Sequence, residues 1–289
     1  MNLNKEDHVE LYETAKKAAL KAGEIINAFP REDLKVNKKE GGESLASQVV
    51  TEVDLLSEKA ILSTLMPSIE KFDLALLSEE TEDDNSRFEK DYFWCIDPID
   101  GTLPFIEGIH GYSVCIALVA KNGTPHIGVI FDPYENKLYH ALKGFEAYCN
   151  DSVLKIGPSS TRDTFYFIND RSIKKYERYE DVLSKMEKAS KELGYSRFET
   201  ILSGGAAMNT CWMIEKEHAC YFKIPRPKKG GGSIWDFAAA ACIAKEAGAV
   251  ATDFFGNPLD LNRIDSTYMN HKGAVFASSE DIASRVKEL

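Results

Sequence analysis

Residues 92–102 read YFWCIDPIDGT. The run YFWCI is short, aromatic and apolar, so a buried strand is expected there. It ends in two carboxylates, Asp97 and Asp100, which stand three apart and flank Pro98. Gly101 and the hydroxyl of Thr102 follow. Pro98 fixes the turn, and Gly101 permits a tight backbone approach. Two aspartates so placed at a strand end can both face one pair of metal ions. Carboxylates packed this closely are costly unless cations neutralise them. Read alone, D-P-x-D-G is also the sequence of an ordinary turn.

Working outward, DLALL, YSVCIALV, PHIGVIF and KLYHAL between Asp73 and Leu142 are further short runs separated by Gly, Pro, Asn and Asp. Several strands in succession imply an antiparallel or mixed sheet. Upstream, Leu11, Ala15, Ala18, Ala22, Ile25 and Phe29 recur at spacings of three and four, which predicts an amphipathic helix stopped by Pro30. A second helix is expected over Glu52–Met66, stopped by Pro67, with a polar loop from Lys35 to Ser47 between the two. After about residue 150 strands and helices alternate. The expected order is a strand at TFYFI, a charged helix from Ile173 to Leu193, a small-residue helix from Gly205 to Ile214 and a strand at HACYF. A helix from Trp235 to Ala247, a strand from Ala249 to Thr252 and a last strand–helix pair from Ala274 complete it. Layers of helices and sheets are the expected solution, an α/β (α+β) fold.

The chain has 289 residues, 44% of them hydrophobic, enough for a large core in one big domain or two modest ones. Its formal net charge of −11 provides no long-range field to gather a nucleic-acid polymer, so none is expected as a partner. The N-terminus MNLNKEDHVELYETAKK lacks the apolar run of a signal peptide, and no segment approaches the roughly 20 apolar residues of a membrane span. A cytoplasmic protein with no membrane partner is the expectation. The six cysteines form no C-x-x-C pair and lie in apolar or aromatic stretches, which fits reduced core thiols better than a disulfide or zinc framework.

Three more acidic clusters stand at the ends of apolar elements. Ser78-Glu79-Glu80 follows LALL, and such acids are most often a solvated loop. Asp236 sits at the mouth of the alanine-rich stretch in GGSIWDFAAAA, where it can simply cap a helix. Val50-Thr51-Glu52-Val53-Asp54 heads the second predicted helix and also reads as a cap.

Taken in order, the residues DPIDGT with Phe105 and Gly108 after it, SEE before it, VTEVD upstream, and WDFAAAACIAKEAGA followed by FGNPLD resemble the inositol monophosphatase family. That family includes the 3'(2'),5'-bisphosphate nucleotidases, the CysQ-like proteins among them, and relatives of fructose bisphosphatase. The resemblance runs from the first helix to the last strand. It implies a layered αβαβα sandwich with a metal site at the junction of an N-terminal α+β part, residues 1–150, and a C-terminal α/β part, residues 151–289. It further implies a magnesium-dependent, lithium-sensitive phosphatase for a small phosphorylated metabolite, using two or three Mg²⁺ ions.

By position, Glu79, Asp97, the backbone carbonyl of Ile99, Asp100 and Asp236 match the family's magnesium ligands. Glu79 and Asp97 would serve the first ion. Asp97, Asp100 and Asp236 would hold the second, with Asp54 and Glu80 in support. Thr102 with Glu79 is the family's candidate for orienting the attacking water. The N–H groups of Gly101 and Thr102, at the opening of a helix, would hold phosphate oxygens. The physical chemistry agrees: magnesium prefers oxygen ligands, and a set without His or Cys argues against zinc. Leu103-Pro104 stands where relatives usually carry polar residues, and a proline near a helix start is tolerated. Family members are often dimers, so a homodimer is expected by analogy.

Two other classes remain in view. A non-catalytic sensor would be expected to have lost at least one acid, and every expected ligand is present. A phosphotransferase or ATPase would need G-x-x-x-x-G-K-[ST], and Gly230-Gly231-Gly232 lacks the following lysine. Before Trp235-Asp236 lies KIPRPKKGGGS, a basic stretch in an acidic protein, drawn out by Pro225 and Pro227. It is either a solvated surface loop or a means for Lys223, Arg226, Lys228 or Lys229 to meet a second phosphate. With the ending YMNHKGAVFAS, which looks more like the bisphosphate nucleotidases than the inositol enzymes, it tilts the expected substrate towards adenosine 3',5'-bisphosphate. An inositol monophosphate comes next, then a sugar bisphosphate.

Overall fold

The computed structural model describes residues 3–30, 32, 34, 36–38, 49–157 and 162–289. In chain order the elements are α1 (Lys5–Ala28), β1 (Val36–Lys38), β2 (Val49–Thr51), α2 (Glu52–Phe72), β3 (Ala75–Ser78), β4 (Tyr92–Asp100), α3 (Thr102–Glu107), β5 (Ser113–Ala120), β6 (Pro125–Asp132) and β7 (Lys137–Leu142). The remainder are β8 (Ala147–Cys149), β9 (Ser152–Leu154), β10 (Thr164–Asn169), α4 (Tyr179–Glu192), β11 (Arg197–Leu202), α5 (Ala206–Lys216), β12 (Ala219–Lys223), α6 (Ile234–Glu246), β13 (Val250–Thr252), β14 (Ala274–Ala277) and α7 (Glu280–Lys287).

Strands β3 to β9 form a seven-stranded sheet in sequence order, with β3 parallel to β4 and every later neighbour antiparallel. The second sheet has the order β11-β10-β12-β14-β13, with β10 parallel to both of its neighbours. One apolar cluster joins α1 and α2 to the first sheet through Leu11, Ala15, Ile61, Trp94 and Ile116. A second fills the space between the sheets, where α5 and α6 lie. A third, with Phe165, Phe222, Val182 and Ile282, covers the far face of the second sheet under α4 and α7. The layers therefore run helix, sheet, helix, sheet, helix, as expected for the αβαβα sandwich. The alanine run of α6 follows from this position. A helix enclosed between two sheets is buried nearly all round, and Phe237 to Ala244 are all buried.

Four sequence expectations need correction. Helix α2 does not stop at Pro67 but runs through it to Phe72. The loss of one backbone bond is outweighed by burial: Leu65, Ser68 and Phe72 pack inward, and the indole Nε1 of Trp94 donates to Ser68 Oγ at 3.0 Å. The charged helix begins at Tyr179 instead of Ile173, after a separate 3₁₀ turn over Arg171–Lys175 capped by Asp170. Strand β11 and the short pair β8–β9 are additional to the strands expected from the sequence. Within the expected loop from Lys35 to Ser47, Val36–Lys38 pairs antiparallel with Val49–Thr51. The rest of the expected loop lies outside the described residues.

Candidate metal centre

Strand β4 is buried along nearly its whole length. Its pairing with β5 shifts register between Asp97 and Asp100, at the proline that cannot donate to the ladder. The irregularity turns the strand end into a carboxylate holder. Asp97 Oδ1 accepts the backbone N–H of Ile99 at 3.0 Å. Asp100 reaches across to the start of α5, where Oδ1 accepts Ala206 N at 3.2 Å and Oδ2 accepts Ala207 N at 2.7 Å. These are helix first-turn donors, which need an external acceptor. Gly205 leaves the room this contact requires: a Cβ there would lie 2.5 Å from Asp100 Oδ2.

Asp236 enters from the other part of the chain. It stands in the first turn of α6 in a capping box, its Oδ2 accepting Ser233 N at 2.8 Å. Carboxylate oxygens of Asp97, Asp100 and Asp236 lie within 4.8 Å of one another. Crowding and burial make this expensive for three anions, and the acidities show it. Burial, then the charges of Glu79, Asp236 and Asp100, push the Asp97 carboxyl well above the usual range. Asp100 is pushed up to about 8, by burial and Asp236 first, against the pull of the Ala207 and Ala206 N–H groups. Asp236 is pushed up to about 6 by burial and Glu79, opposed by the Ser233 N–H, a hydrogen bond from Asp97 and the charge of Lys223. Without a cation Asp100 is largely protonated at neutral pH. The donor set is all oxygen, so the residues present fit a hard divalent cation such as magnesium.

Of the other expected residues, Glu79 is tied to this trio through its charge. Glu79 and Glu80 lie half-buried just beyond β3, and the Glu79 charge bears on all three aspartates. Asp54 is buried in the first turn of α2, its Oδ2 accepting Thr51 N at 2.8 Å and Thr51 Oγ1 at 2.5 Å. Gly101, with φ +86, is the N-cap of α3 and so occupies a conformation that disfavours other residues. Thr102 is the first residue of that helix and is not its cap. Its buried hydroxyl donates to the Ile99 carbonyl at 3.4 Å.

In the basic stretch, Arg226, Lys228 and Lys229 are exposed. The backbone of Arg226 is tied to Asn270 in both directions, and its guanidinium lies against Gly230. Lys223 differs: it is half-buried, pairs with Asp170, and is the member of the stretch whose charge is felt at Asp236. Two features escaped sequence reasoning. Asp170 lies just beyond the strand expected at TFYFI, and nothing in the local sequence marks it as the partner of Lys223. The N–H groups of Ala206 and Ala207 had been read only as part of a small-residue helix, although Gly204-Gly205 marked where its donors begin. A second acid-containing group, His110, Asp132 and Glu135, is accounted for by its own bonds. Asp132 accepts His110 Nε2 at 2.7 Å and the N–H groups of Tyr134 and Glu135, and Glu135 pairs with Lys137 at 2.8 Å.

A helix–sheet–helix–sheet–helix sandwich with clustered carboxylates at the meeting of two sheet systems defines a class of metal-dependent phosphatases. The model of the inositol monophosphatase family matches residues 7–286, so the chain belongs to that family, whose members are phosphatases. Among curated relatives, Nus factor SuhB of Pasteurella multocida is 29% identical over 242 residues, covering 83% of this chain and 84% of the relative. Inositol monophosphatase 1 of Rattus norvegicus is 30% identical over 247 residues, covering 84% and 83%. The solved structure of the extragenic suppressor protein SuhB from Bartonella henselae superposes with a TM-score of 0.73 at 22% identity, covering 96% of this chain and 97% of that one. The 2'AMP-bound structure of SaIMPase-II gives 0.71 at 20% identity, covering 96% and 93%. No helix among the described residues is long and apolar enough to cross a membrane.

Proposed function

We propose that the chain is a cytoplasmic, lithium-sensitive, Mg²⁺-dependent phosphoric monoester hydrolase, acting as a homodimer. The observation that carries this reading is the cluster of Asp97, Asp100 and Asp236, whose carboxylate oxygens lie within 4.8 Å of one another with Asp97 and Asp100 buried, an arrangement that a cation would neutralise. Glu79, Asp97, the Ile99 carbonyl, Asp100 and Asp236 would hold two or three Mg²⁺ ions. Magnesium, when bound, supplies the charge that lowers the pKa of a coordinated water and neutralises the leaving oxygen.

The chain's own residues supply position and proton handling. Thr102 has a hydroxyl fixed on the Ile99 carbonyl and so aimed at the strand end, where with Glu79 it would orient the attacking water. Asp54 supports from the head of α2. The N–H groups of Gly101 and Thr102 and the half-buried Asp236 would contact the phosphate. Residues 1–150 would bring most of the acids and residues 151–289 Asp236 and the substrate contacts.

For the substrate we favour a doubly phosphorylated nucleotide, adenosine 3',5'-bisphosphate. Lys223 supports it, a half-buried cation beside an acid of the site, with Arg226, Lys228 and Lys229 on the loop beyond. SaIMPase-II, a structural neighbour, was solved both with a nucleoside monophosphate, 2'AMP, and with an inositol monophosphate, which is compatible with either reading. The second reading, an inositol monophosphate, is favoured by the name of the rat relative, inositol monophosphatase 1. The two separate in a panel of adenosine 3',5'-bisphosphate, myo-inositol 1-phosphate and fructose 1,6-bisphosphate compared by kcat/KM. The expected result is that the nucleotide is best and that its advantage shrinks in Lys223→Ala and in the triple alanine variant of Arg226, Lys228 and Lys229. A preference for the inositol phosphate, unmoved by either change, refutes the nucleotide reading.

A further inference from the structure

Helix α2 carries three polar residues on one inward face, Asp54, Ser57 and Glu58, spaced as i, i+3 and i+4. All three are buried, Glu58 with 8% of its surface exposed. An apolar residue would be the ordinary occupant of such positions, since a buried carboxylate is costly even when it accepts hydrogen bonds. What the three have in common is what they hold. Asp54 takes the N–H and hydroxyl of Thr51. Ser57 Oγ donates to the Pro98 carbonyl at 2.9 Å, inside the turn between Asp97 and Asp100. One oxygen of Glu58, Oε1, accepts both Ser78 Oγ at 2.5 Å and Thr81 Oγ1 at 3.1 Å.

Ser78 and Thr81 are the residues on either side of Glu79-Glu80. The acid pair is thus bracketed by two hydroxyls converging on a single carboxylate oxygen. It is fastened a third time by the Glu79 N–H, which donates to the Ile96 carbonyl on β4 at 3.2 Å. Glu79 is also the acid whose charge is felt by all three aspartates of the trio. The loop that carries it has no regular structure of its own, so its position against β4 is set by these bonds.

We propose that Glu58 is a positioning residue: by clamping Ser78 and Thr81 it holds Glu79 beside Asp97, Asp100 and Asp236, and affinity for the divalent cation depends on that clamp. The inference rests on the reading of Glu79 as a magnesium ligand and adds a residue behind it. Partners that orient metal ligands are typically worth about 10- to 100-fold in metal affinity, and the effect expected here is of that size.

The test is calorimetric titration of Mg²⁺ into the full-length, metal-stripped chain, with thermal melting in chelator as a separate measurement. In Glu58→Ala, Mg²⁺ binding should weaken by about tenfold or more while the metal-free melting temperature falls by only a few degrees. Glu58→Gln, whose amide oxygen accepts the same two hydroxyls, should stay within about threefold of the parent. The double variant Ser78→Ala, Thr81→Val should reproduce the loss. Combined with Glu58→Ala it should add little, because both remove one interaction. If Glu58→Ala does not fold, the hydroxyl double variant and Glu58→Gln still decide the matter. Parental affinity in Glu58→Ala or in the double variant, or equal loss in Glu58→Ala and Glu58→Gln, overturns the proposal while the metal reading stands. A parent that binds no Mg²⁺ overturns the metal reading and this inference together.

Discussion

Metal binding should release protons, and their number follows from the acidities of the trio. At pH 7 Asp100, at about 8, is protonated about nine times in ten, and burial with the neighbouring charges pushes the Asp97 carboxyl in the same direction. Asp236 at about 6 is already largely ionised. A cation that requires all three as carboxylates therefore displaces about one proton from Asp100, and Asp97 acts in the same sense. One proton released corresponds to an apparent affinity that rises by about tenfold per pH unit near pH 7, or about 1.4 kcal/mol. The slope should flatten once pH passes about 8.

The same shifts fix the sign of stability. Each of these carboxyls has a folded value above the ordinary 3.8, so each favours the fold while protonated. That contribution is complete below pH 3.8 and is lost as pH rises through about 6 for Asp236 and about 8 for Asp100. The gain in melting temperature on adding Mg²⁺ should therefore grow from pH 5 to pH 8. Comparing loaded with stripped protein at each pH cancels groups remote from the site, such as His126, which burial pushes down to about 4. The assay is titration calorimetry of Mg²⁺ at pH 7 in two buffers with different heats of ionisation, repeated at pH 6 and 8. No proton release, or an affinity that is flat or falls as pH rises, refutes the reasoning.

Three variants extend the test. Asp97→Asn imitates the protonated state, since its oxygen can still accept the Ile99 N–H and its amide can donate to Asp236. Turnover should fall by orders of magnitude, while stripped protein at pH 8 melts no lower than the parent and releases fewer protons on titration with Mg²⁺. Thr102→Ala should lower kcat by about 10- to 100-fold with Mg²⁺ affinity nearly unchanged, because a hydroxyl that orients the nucleophile acts mainly in the transition state. A lower melting temperature with an unchanged kcat would assign that hydroxyl to folding alone. Gly205→Ala should weaken Mg²⁺ binding as well as stability, since its Cβ would press on the Asp100 carboxylate; a loss of stability without a loss of affinity would show that Asp100 can move aside.

The strand end at Asp97–Asp100 was legible because local chemistry spells it out: an apolar run, a proline that must leave the ladder, and a glycine whose φ of +86 the backbone uses. The central strands were legible for a similar reason, being buried on both faces and so almost continuously apolar. Strand β11 was not. It is the edge of its sheet, and RFETIL presents exposed Arg197, Glu199 and Thr200, so its periodicity carries little apolar signal. Pro67 misled because a local rule was overridden by packing around Ser68 and Trp94, which no spacing within α2 reveals.

The meeting of Asp236 with Asp97 and Asp100 was likewise invisible to spacing, and reached the sequence reading only through resemblance. Its physical cause is the enclosure of α5 and α6 between the sheets, which brings the starts of both helices to the end of β4. The reading of Asp54 and Asp236 in the sequence as helix caps holds in the structure. Both occupy the third position of their helices and both close a capping box. A cap bond uses one carboxylate oxygen and fixes the plane of the other. For Asp236, Oδ2 is held by Ser233 while the carboxylate also receives the hydrogen bond from Asp97. The helix start thus aims the acid at its neighbours, so a residue that reads as a cap in the sequence can serve the cation because it is one.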